Sequence, residues 1–225
     1  MRSTFGKPQR GGIAGIVGSA LELYRKYHRD KQDERVGLFR GLVELYGASS
    51  ALYPGCFVHV APSFVLPSVV YVETDRRAAR FFADPEVLRL VRECREYASE
   101  PQIRFHGADY TQPFAETEAS FDLLISQYGG FVSRACKRYL RPGGHLVANN
   151  SHGDASMAAL DPDYQLVAVY RRTGERFRFA GDELDSYMVP KRGAVPTRAE
   201  LERTLRGPAF TRPVAGYVFE LRDSG

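Results

Sequence analysis

The chain has no tryptophan, only three methionines and only three cysteines in 225 residues. Cys56, Cys94 and Cys136 lie far apart, form no Cys-x-x-Cys pair and leave an odd count, which argues against a disulfide framework and against a zinc site. A reducing cytoplasm suits such a set. Long hydrophobic runs are also missing: the longest, Phe57 to Val72, is interrupted by His59, Pro62 and Pro67 and is too short to span a bilayer. No membrane partner is therefore expected. Neither sign of charge dominates, since 31 Lys and Arg against 27 Asp and Glu give a net charge of +4. That balance permits nucleic acid without demanding it. The five histidines fall into no metal-ligand spacing with acids or cysteines, so no metal is expected. There is no internal repeat and no low-complexity segment. Arg2, Lys7 and Arg10 ahead of GGIAGIVGSAL imitate a secretory signal, but glycines dilute the run. Its apolar positions Ile13, Ile16, Val17, Ala20, Tyr24 and Tyr27 also continue at helical spacing.

What is present is a 44% hydrophobic composition in a chain long enough for one sizeable core, so a single domain is expected. Residues 13 to 46 read as two helices, the second with Val36, Phe39, Leu42, Val43 and Tyr46 on one face and Gly47 placed to end it. From Ser49 the pattern alternates. SSALYPG, VVYVETD, QIRFHGADY, FDLLISQYGG and His145 to Ala148 read as five strands. Between them lie a helix restarting at Asp84 with Pro85 in its first turn, and another from Gly130 to Leu140 stopped by Pro142 and Gly143. Strands alternating with helices predict an α/β fold with a doubly wound, mostly parallel sheet. After Asp161 the runs flanking Thr173-Gly174 read as an antiparallel hairpin, with Phe177 and Phe179 on one face and Arg176 and Arg178 on the other. Thr197 can cap the helix that follows, and GYVFELR reads as a final edge strand. The layout is thus a helical lead-in (1–47), a core (48–160), an elaboration placed as a substrate lid (161–213) and a last strand (214–225).

The order of these motifs resembles class I S-adenosylmethionine-dependent methyltransferases. Ser49 to Asp154 carries the resemblance, and FDLLISQYGG followed by YLRPGGHLV is its strongest part. It implies a Rossmann-like methyltransferase fold with S-adenosylmethionine as cofactor. LYPGCF stands in the place of the family's glycine-rich loop, with Phe57 where a further glycine is usual and Tyr53 where an acid is frequent. Tyr53, Pro54 and Gly55 would then line the cofactor. Glu73, with Thr74 beside it, matches the acid on the ribose hydroxyls, Asp109 the acceptor for the adenine amino group, and Tyr110 can stack on the base. Ser126 and Gln127 complete the cofactor side.

Each assignment has a structural counterpart. Glu73 and Asp75 equally suit a cap for the helix at Arg76, and Asp109 suits a turn with Thr111 and Pro113. Beyond the fifth strand, Asn149, Asn150, His152 and Asp154 form a polar cluster, with Tyr128 facing it from the fourth. Histidine titrates near neutrality, so His152 is the candidate general base, with Asp154 to orient it and Asn150 to assist. Tyr128, Asn149 and Asn150 would hold the substrate. The other reading of His152 and Asp154 is a helix cap, with Asp154 as N-cap. His59 and His106 read as packed residues. The stripe Arg171, Arg172, Arg176 and Arg178, with Lys191 and Arg192 beyond it, reads as a solvated face or as contacts to phosphate or carboxylate. The expected function is methyl transfer to a nitrogen or oxygen of a small molecule. The alternatives are a nucleic-acid methyltransferase, although no Asp-Pro-Pro-Tyr signature follows the fourth strand, and a binding module without turnover. A nicotinamide dehydrogenase lacks its glycine fingerprint.

Overall fold

A computed structural model describes residues 19–223. The signal-like stretch and the first part of the first expected helix lie outside the described residues. An eight-stranded sheet runs in the order β3-β2-β1-β4-β5-β8-β6-β7. Its strands are β1 (Ser50–Pro54), β2 (Ser68–Val72), β3 (Gln102–His106), β4 (Phe121–Ser126), β5 (Leu140–Ala148), β6 (Tyr164–Thr173), β7 (Arg176–Ala180) and β8 (Gly216–Leu221). β1 to β5 are parallel, β8 inserts antiparallel beside β5, and β6 and β7 extend the sheet antiparallel beyond it. This is the expected doubly wound Rossmann-like α/β sheet. β2 and β3 leave β1 on one side and β5 leaves β4 on the other, so the sequence turns back on itself between β1 and β4. Such a switch point opens a crevice at the strands' C-terminal ends.

Local chemistry explains most of the boundaries. Asp75 caps α3 (Arg76–Ala83) by accepting from the Arg77 amide at 2.7 Å. Asp84 caps α4 (Pro85–Cys94) through the Glu86 amide at 2.9 Å, as the Asp-Pro pair predicts. Of the two lead-in helices, α1 (Ser19–Tyr24) passes into a π-helical turn, Arg25–Arg29, while α2 (Val36–Tyr46) ends at Gly47 with φ +64°. Thr197 and Glu200 form a reciprocal capping box on α7 (Arg198–Thr204).

Three expectations are corrected. The stretch between β4 and β5 holds only one helical turn, α5 (Val132–Ala135), and a 3-10 turn, Lys137–Tyr139. Arg-Pro-Gly-Gly does not terminate a helix but lies inside β5. Phe121 pairs with Leu140 and Leu123 with His145, so two residues of β4 are passed by five of β5, and Gly143 takes φ +70° in the resulting bulge. A Cβ on Gly144 would sit 2.7 Å from the Leu140 side chain, which explains its bare backbone. GYVFELR, expected at an edge, is interior, hydrogen-bonded on both sides, because the hairpin β6–β7 takes the edge beyond it.

The core is two-sided. On one face α1, α2 and the 3-10 turn Ala61–Phe64 cover Tyr53, Tyr71, Leu123, Ile125, Val147 and Tyr170. On the other, α5 and α6 (Asp154–Ala159) cover Leu124, Leu146, Ala148, Val169 and Phe219. Phe177 and Phe179 face α2 as the alternation predicts. The helix admits them through Gly37 and Gly41, one turn apart: a Cβ on Gly41 would lie 2.5 Å from the Phe179 ring, and one on Gly37 2.7 Å from the Glu175 carbonyl oxygen. Among the described residues no helix is long and apolar enough to cross a membrane.

Gly41→Val should therefore destabilise the fold by about 2 kcal/mol, the range for overpacking a tight contact, despite removing a helical glycine. Urea denaturation compared with Leu45→Val, an exposed site on the same helix, measures it.

Candidate functional site

At the switch point the loop after β1 doubles back sharply. Gly55 has φ +64° and Phe57, a non-glycine, φ +47°. Holding a β-carbon in that region costs on the order of 1 kcal/mol, so the loop keeps a glycine's backbone conformation without the glycine. Glu73, just beyond β2, fixes it: its Oε2 accepts from the Phe57 amide at 3.1 Å, while Oε1 accepts from the amides of Thr74 at 2.8 Å and Asp75 at 3.2 Å. Gly55 is pressed against the loop after β4, where a Cβ would stand 2.9 Å from the Gly129 Cα. The Phe57 ring turns outward, edge-on to Tyr27 at 5.0 Å and beneath the Arg77 guanidinium at 4.9 Å. Pro54 is buried at the end of β1 and Thr74 is exposed. Tyr53, expected beside a cofactor, is instead turned into the core, its hydroxyl 3.0 Å from His59 Nδ1. Its aromatic bulk suits the α1–α2 side of the sheet, and there His59 packs as expected, with Nε2 2.9 Å from the Glu34 carbonyl.

Beyond β3, Asp109 is exposed and its Oδ1 accepts from the Thr111 amide at 2.9 Å and hydroxyl at 2.8 Å, leaving Oδ2 without a partner among the described residues. The turn reading of Asp109 thus holds, yet one oxygen remains open. Tyr110 reaches over the ends of β2 and β1 and donates to the Gly129 carbonyl. The expected stacking residue is a strap between the loops after β3 and β4. His106 is tied by Nε2 to Glu116 at 2.8 Å.

The expected His152–Asp154 pair is not formed. His152 is exposed, with Nδ1 3.0 Å from the Ser151 hydroxyl. Asp154 is fully buried, and its carboxylate accepts from the Ser126 hydroxyl, the Ser133 hydroxyl and the Ser133 amide. It binds the end of β4 to the first turn of α5 while lying in the first turn of α6, so it is a junction of three elements. Gly153, with φ +85°, takes the N-cap position expected for Asp154. Burial pushes the Asp154 carboxyl up to about 6, against the pull of its serine donors. Asn150 is structural too: its Oδ1 accepts from the Ser156 amide and hydroxyl at 3.0 Å, and its amide nitrogen donates to the Pro208 carbonyl at 3.2 Å. Through this bond the 205–210 stretch is pinned beside the site.

On the opposite face of the sheet lies a polar cluster. Gln127 is buried, accepting from Arg35 Nη1 at 2.7 Å and donating to the Tyr170 hydroxyl at 3.3 Å. Asp33 accepts both nitrogens of the Arg35 fork, at 3.0 and 2.6 Å, and a nitrogen of Arg172. Burial opposes its ionisation, but the two guanidiniums hold its carboxyl down at about 2. Arg35 has φ +55° and Tyr128 φ +67°, and the exposed Tyr128 ring stacks with the Arg35 guanidinium at 5.0 Å. Asn149, one residue beyond the Ser126–Ala148 pairing, is buried. Its Oδ1 accepts from Ser151, while Nδ2 has no partner within the protein. Asp33, Arg35, Ser133 and Tyr170 are the members sequence reading missed. Asp33 and Arg35 sit in the run DKQDER, which looks like a solvated linker, and no local spacing signals the pairing with Gln127, 92 residues away.

No protein-family model matches the chain, and no curated protein sequence matches it. Among solved structures it is similar to a putative O-methyltransferase from Klebsiella pneumoniae, with a TM-score of 0.48, 15% identity, and coverage of 74% of this chain and 89% of that one. The O-methyltransferase TomG from Streptomyces achromogenes, solved in complex with S-adenosylmethionine, gives 0.47 and 17%, covering 74% and 89%. An O-methyltransferase from Bacillus cereus in complex with S-adenosylhomocysteine gives 0.48 and 14%, covering 74% and 90%. At these scores the functional reading rests on this chain's own residues.

Because the folded Asp154 carboxyl sits above the ordinary unfolded value near 3.9, its contribution favours folding at low pH and is lost as pH rises through about 6. Burial lowers His28 to about 4 and lowers His59 well below its ordinary value, so both act oppositely in that window. The difference between wild type and Asp154→Asn isolates the carboxyl. Wild-type stability relative to the variant should rise by about 2 kcal/mol between pH 7.5 and pH 4.5, read from urea midpoints; parallel curves would refute the buried-carboxyl assignment.

Proposed function

We propose that this chain is an S-adenosylmethionine-dependent methyltransferase that methylates a nitrogen or oxygen of a small molecule. The observation that carries the reading is Glu73, an acid at the end of β2 whose Oε2 holds only the Phe57 amide and so keeps a lone pair for a ribose hydroxyl. It stands beside a left-handed loop whose Gly55 offers bare backbone at the switch point. The other groups fit a nucleoside. Asp109 Oδ2 is open to an amino group, and its partner oxygen is already fixed by Thr111, so little entropy is lost on binding. Admission requires the Tyr110 hydroxyl to leave the Gly129 carbonyl, since that bond spans the crevice.

When bound, the sulfonium cofactor supplies an electrophilic methyl carbon. This chain's part is to align a nucleophile and exclude water. Asn149 Nδ2, a buried donor without an acceptor among the described residues, supports a role in holding a polar substrate atom. His152 keeps Nε2 free of protein partners on an exposed loop and is the proposed proton acceptor, held by Ser151 rather than by Asp154. The three free thiols suit a reducing, cytoplasmic setting.

Isothermal titration with S-adenosylhomocysteine should give binding by the wild type. Asp109→Asn, which keeps the Thr111 turn but replaces the open oxygen by a donor, should weaken it about tenfold, the worth of one hydrogen bond, and Glu73→Ala more. No heat from the wild type would remove the reading. His152→Ala should leave this affinity unchanged while cutting turnover.

A further inference from the structure

The hairpin β6–β7 carries three arginines, Arg171, Arg176 and Arg178, that no carboxylate among the described residues neutralises. Val169 of β6 and Ala148 of β5 both pair with Tyr217 of β8, so they stand level. β6 continues four residues past that level, to Thr173, about 13 Å at the rise of a strand. The hairpin is therefore a wall beside the strand ends, two strand spacings, about 10 Å, from β5. Its α2 face is apolar and its single guanidinium there, Arg172, is paired with Asp33.

The other face differs. Arg171 and Arg178 are directly opposed across the two strands, with Thr173 and Arg176 on the next rung. Like charges directly opposite destabilise a strand pair. Both arginines are exposed, and among the described residues neither they nor Arg176 form an ion pair. Around the Arg171–Arg178 rung is a cleft of about 340 Å³ lined by Val169, Arg171, Thr173, Arg178, Phe179 and Ala180. Behind the cleft a further guanidinium meets Arg171: Arg212 donates to the Tyr187 hydroxyl at 2.9 Å, and Arg171 donates to the same oxygen at 3.3 Å. Glu183, bound to Arg212 at 2.7 Å, is the one acid paired with this group. Tyr187 thus holds Arg171 in place, and Arg178 stands opposite it across the strands.

We propose that this cleft is a binding site for the phosphate monoester of a small molecule, held between Arg171 and Arg178 with the Thr173 hydroxyl beside them. Two opposed guanidiniums, one of them held by Tyr187, match the oxygens of a phosphate and its double charge, whereas one carboxylate would leave the rung repulsion half relieved. The cleft lies on the α6 face, the face of the loop that carries His152. A phosphorylated molecule about 10 Å long can therefore keep its phosphate on the wall and its acceptor atom at the strand ends. That placement deepens, and rests on, the methyltransferase reading; the phosphate site itself does not.

Phenyl phosphate is the probe, followed by ³¹P line broadening and by thermal shift at low ionic strength, without cofactor, so the outcome is independent of S-adenosylhomocysteine binding. Wild type should bind it and be stabilised by it, with phenol inert, and Arg178→Ala and Arg171→Ala should each weaken binding about tenfold or more. Arg178→Ala should be at least as stable as wild type without ligand, because it removes the opposed charge, which separates lost binding from lost fold. No broadening at 10 mM probe, or equal binding by Arg178→Ala, overturns the site. Tight binding of a single-stranded 20-mer that Arg178→Ala abolishes, with phenyl phosphate inert, overturns the small-molecule assignment in favour of a nucleic-acid backbone.

Discussion

Asp33 receives both nitrogens of the Arg35 fork and one of Arg172, and on that carboxylate the arrangement around the strand ends depends. Arg35 passes the constraint to Gln127 at the end of β4, and Gln127 passes it to Tyr170 in β6. Three segments far apart in sequence are thereby locked: the lead-in between its helices, the loop after β4, and the base of the hairpin wall. Two half-buried cations around one anion would be costly in an apolar setting, and the geometry answers that cost with bidentate bonds and neutral amide and phenol groups at the periphery. The left-handed conformations of Arg35 and Tyr128 are held in place by the same network.

A second anchor, Asp154, works on the opposite face by a different principle. Among the described residues no cation touches it. Hydroxyl and amide donors from Ser126 and Ser133 satisfy it at the first turns of two helices, where backbone N–H groups point at the carboxylate. The sheet end is thus clamped by a charge network on one side and by a neutral-donor cage on the other. The crevice between has a floor that neither clamp occupies, made by Gly55, Glu73 and Gly129.

Much of this was legible in the sequence. The parallel strands, the Asp84 and Thr197 caps, Gly47 and the turn at Gly174 follow from local rules: alternation, capping side chains and left-handed glycines. The errors arose where tertiary pairing overrode local chemistry. Arg-Pro-Gly-Gly looks like a helix stop, but Asp122 accepts from Arg141 Nε at 2.7 Å and from the amides of Ser49 and Ser50, drawing the segment into a bulged strand. GYVFELR reads as an edge because the hairpin that covers it precedes it in the chain. In the site, residue types were easier to read than directions: Asp154, Asn150 and Tyr53 stand near the strand ends as expected, but each side chain turns to a partner that no spacing revealed. Arg35 was invisible because its partners are 92 residues on and, through Asp33, 139 residues on.

The arginines of the hairpin are used differently on its two faces. Arg35, Arg40, Arg77, Arg104, Arg134, Arg141 and Arg172 each meet a carboxylate, and most of these pairs join segments that need joining. Exposed pairs of this kind contribute little singly, and other exposed arginines, Arg25, Arg76, Arg80 and Arg206, form none among the described residues. What sets the Arg171–Arg178 rung apart is that its two guanidiniums stand directly opposite each other across a strand pair. Glu175, in the turn with Gly174, is near in sequence, yet among the described residues it forms no ion pair with either arginine, and its carbonyl lies at Gly37 on the α2 face. A local rule broken with no gain inside the fold belongs where a ligand completes the interaction. A doubly charged group entering from solvent would supply what the sheet withholds, converting the repulsion that weakens the hairpin into affinity for its ligand.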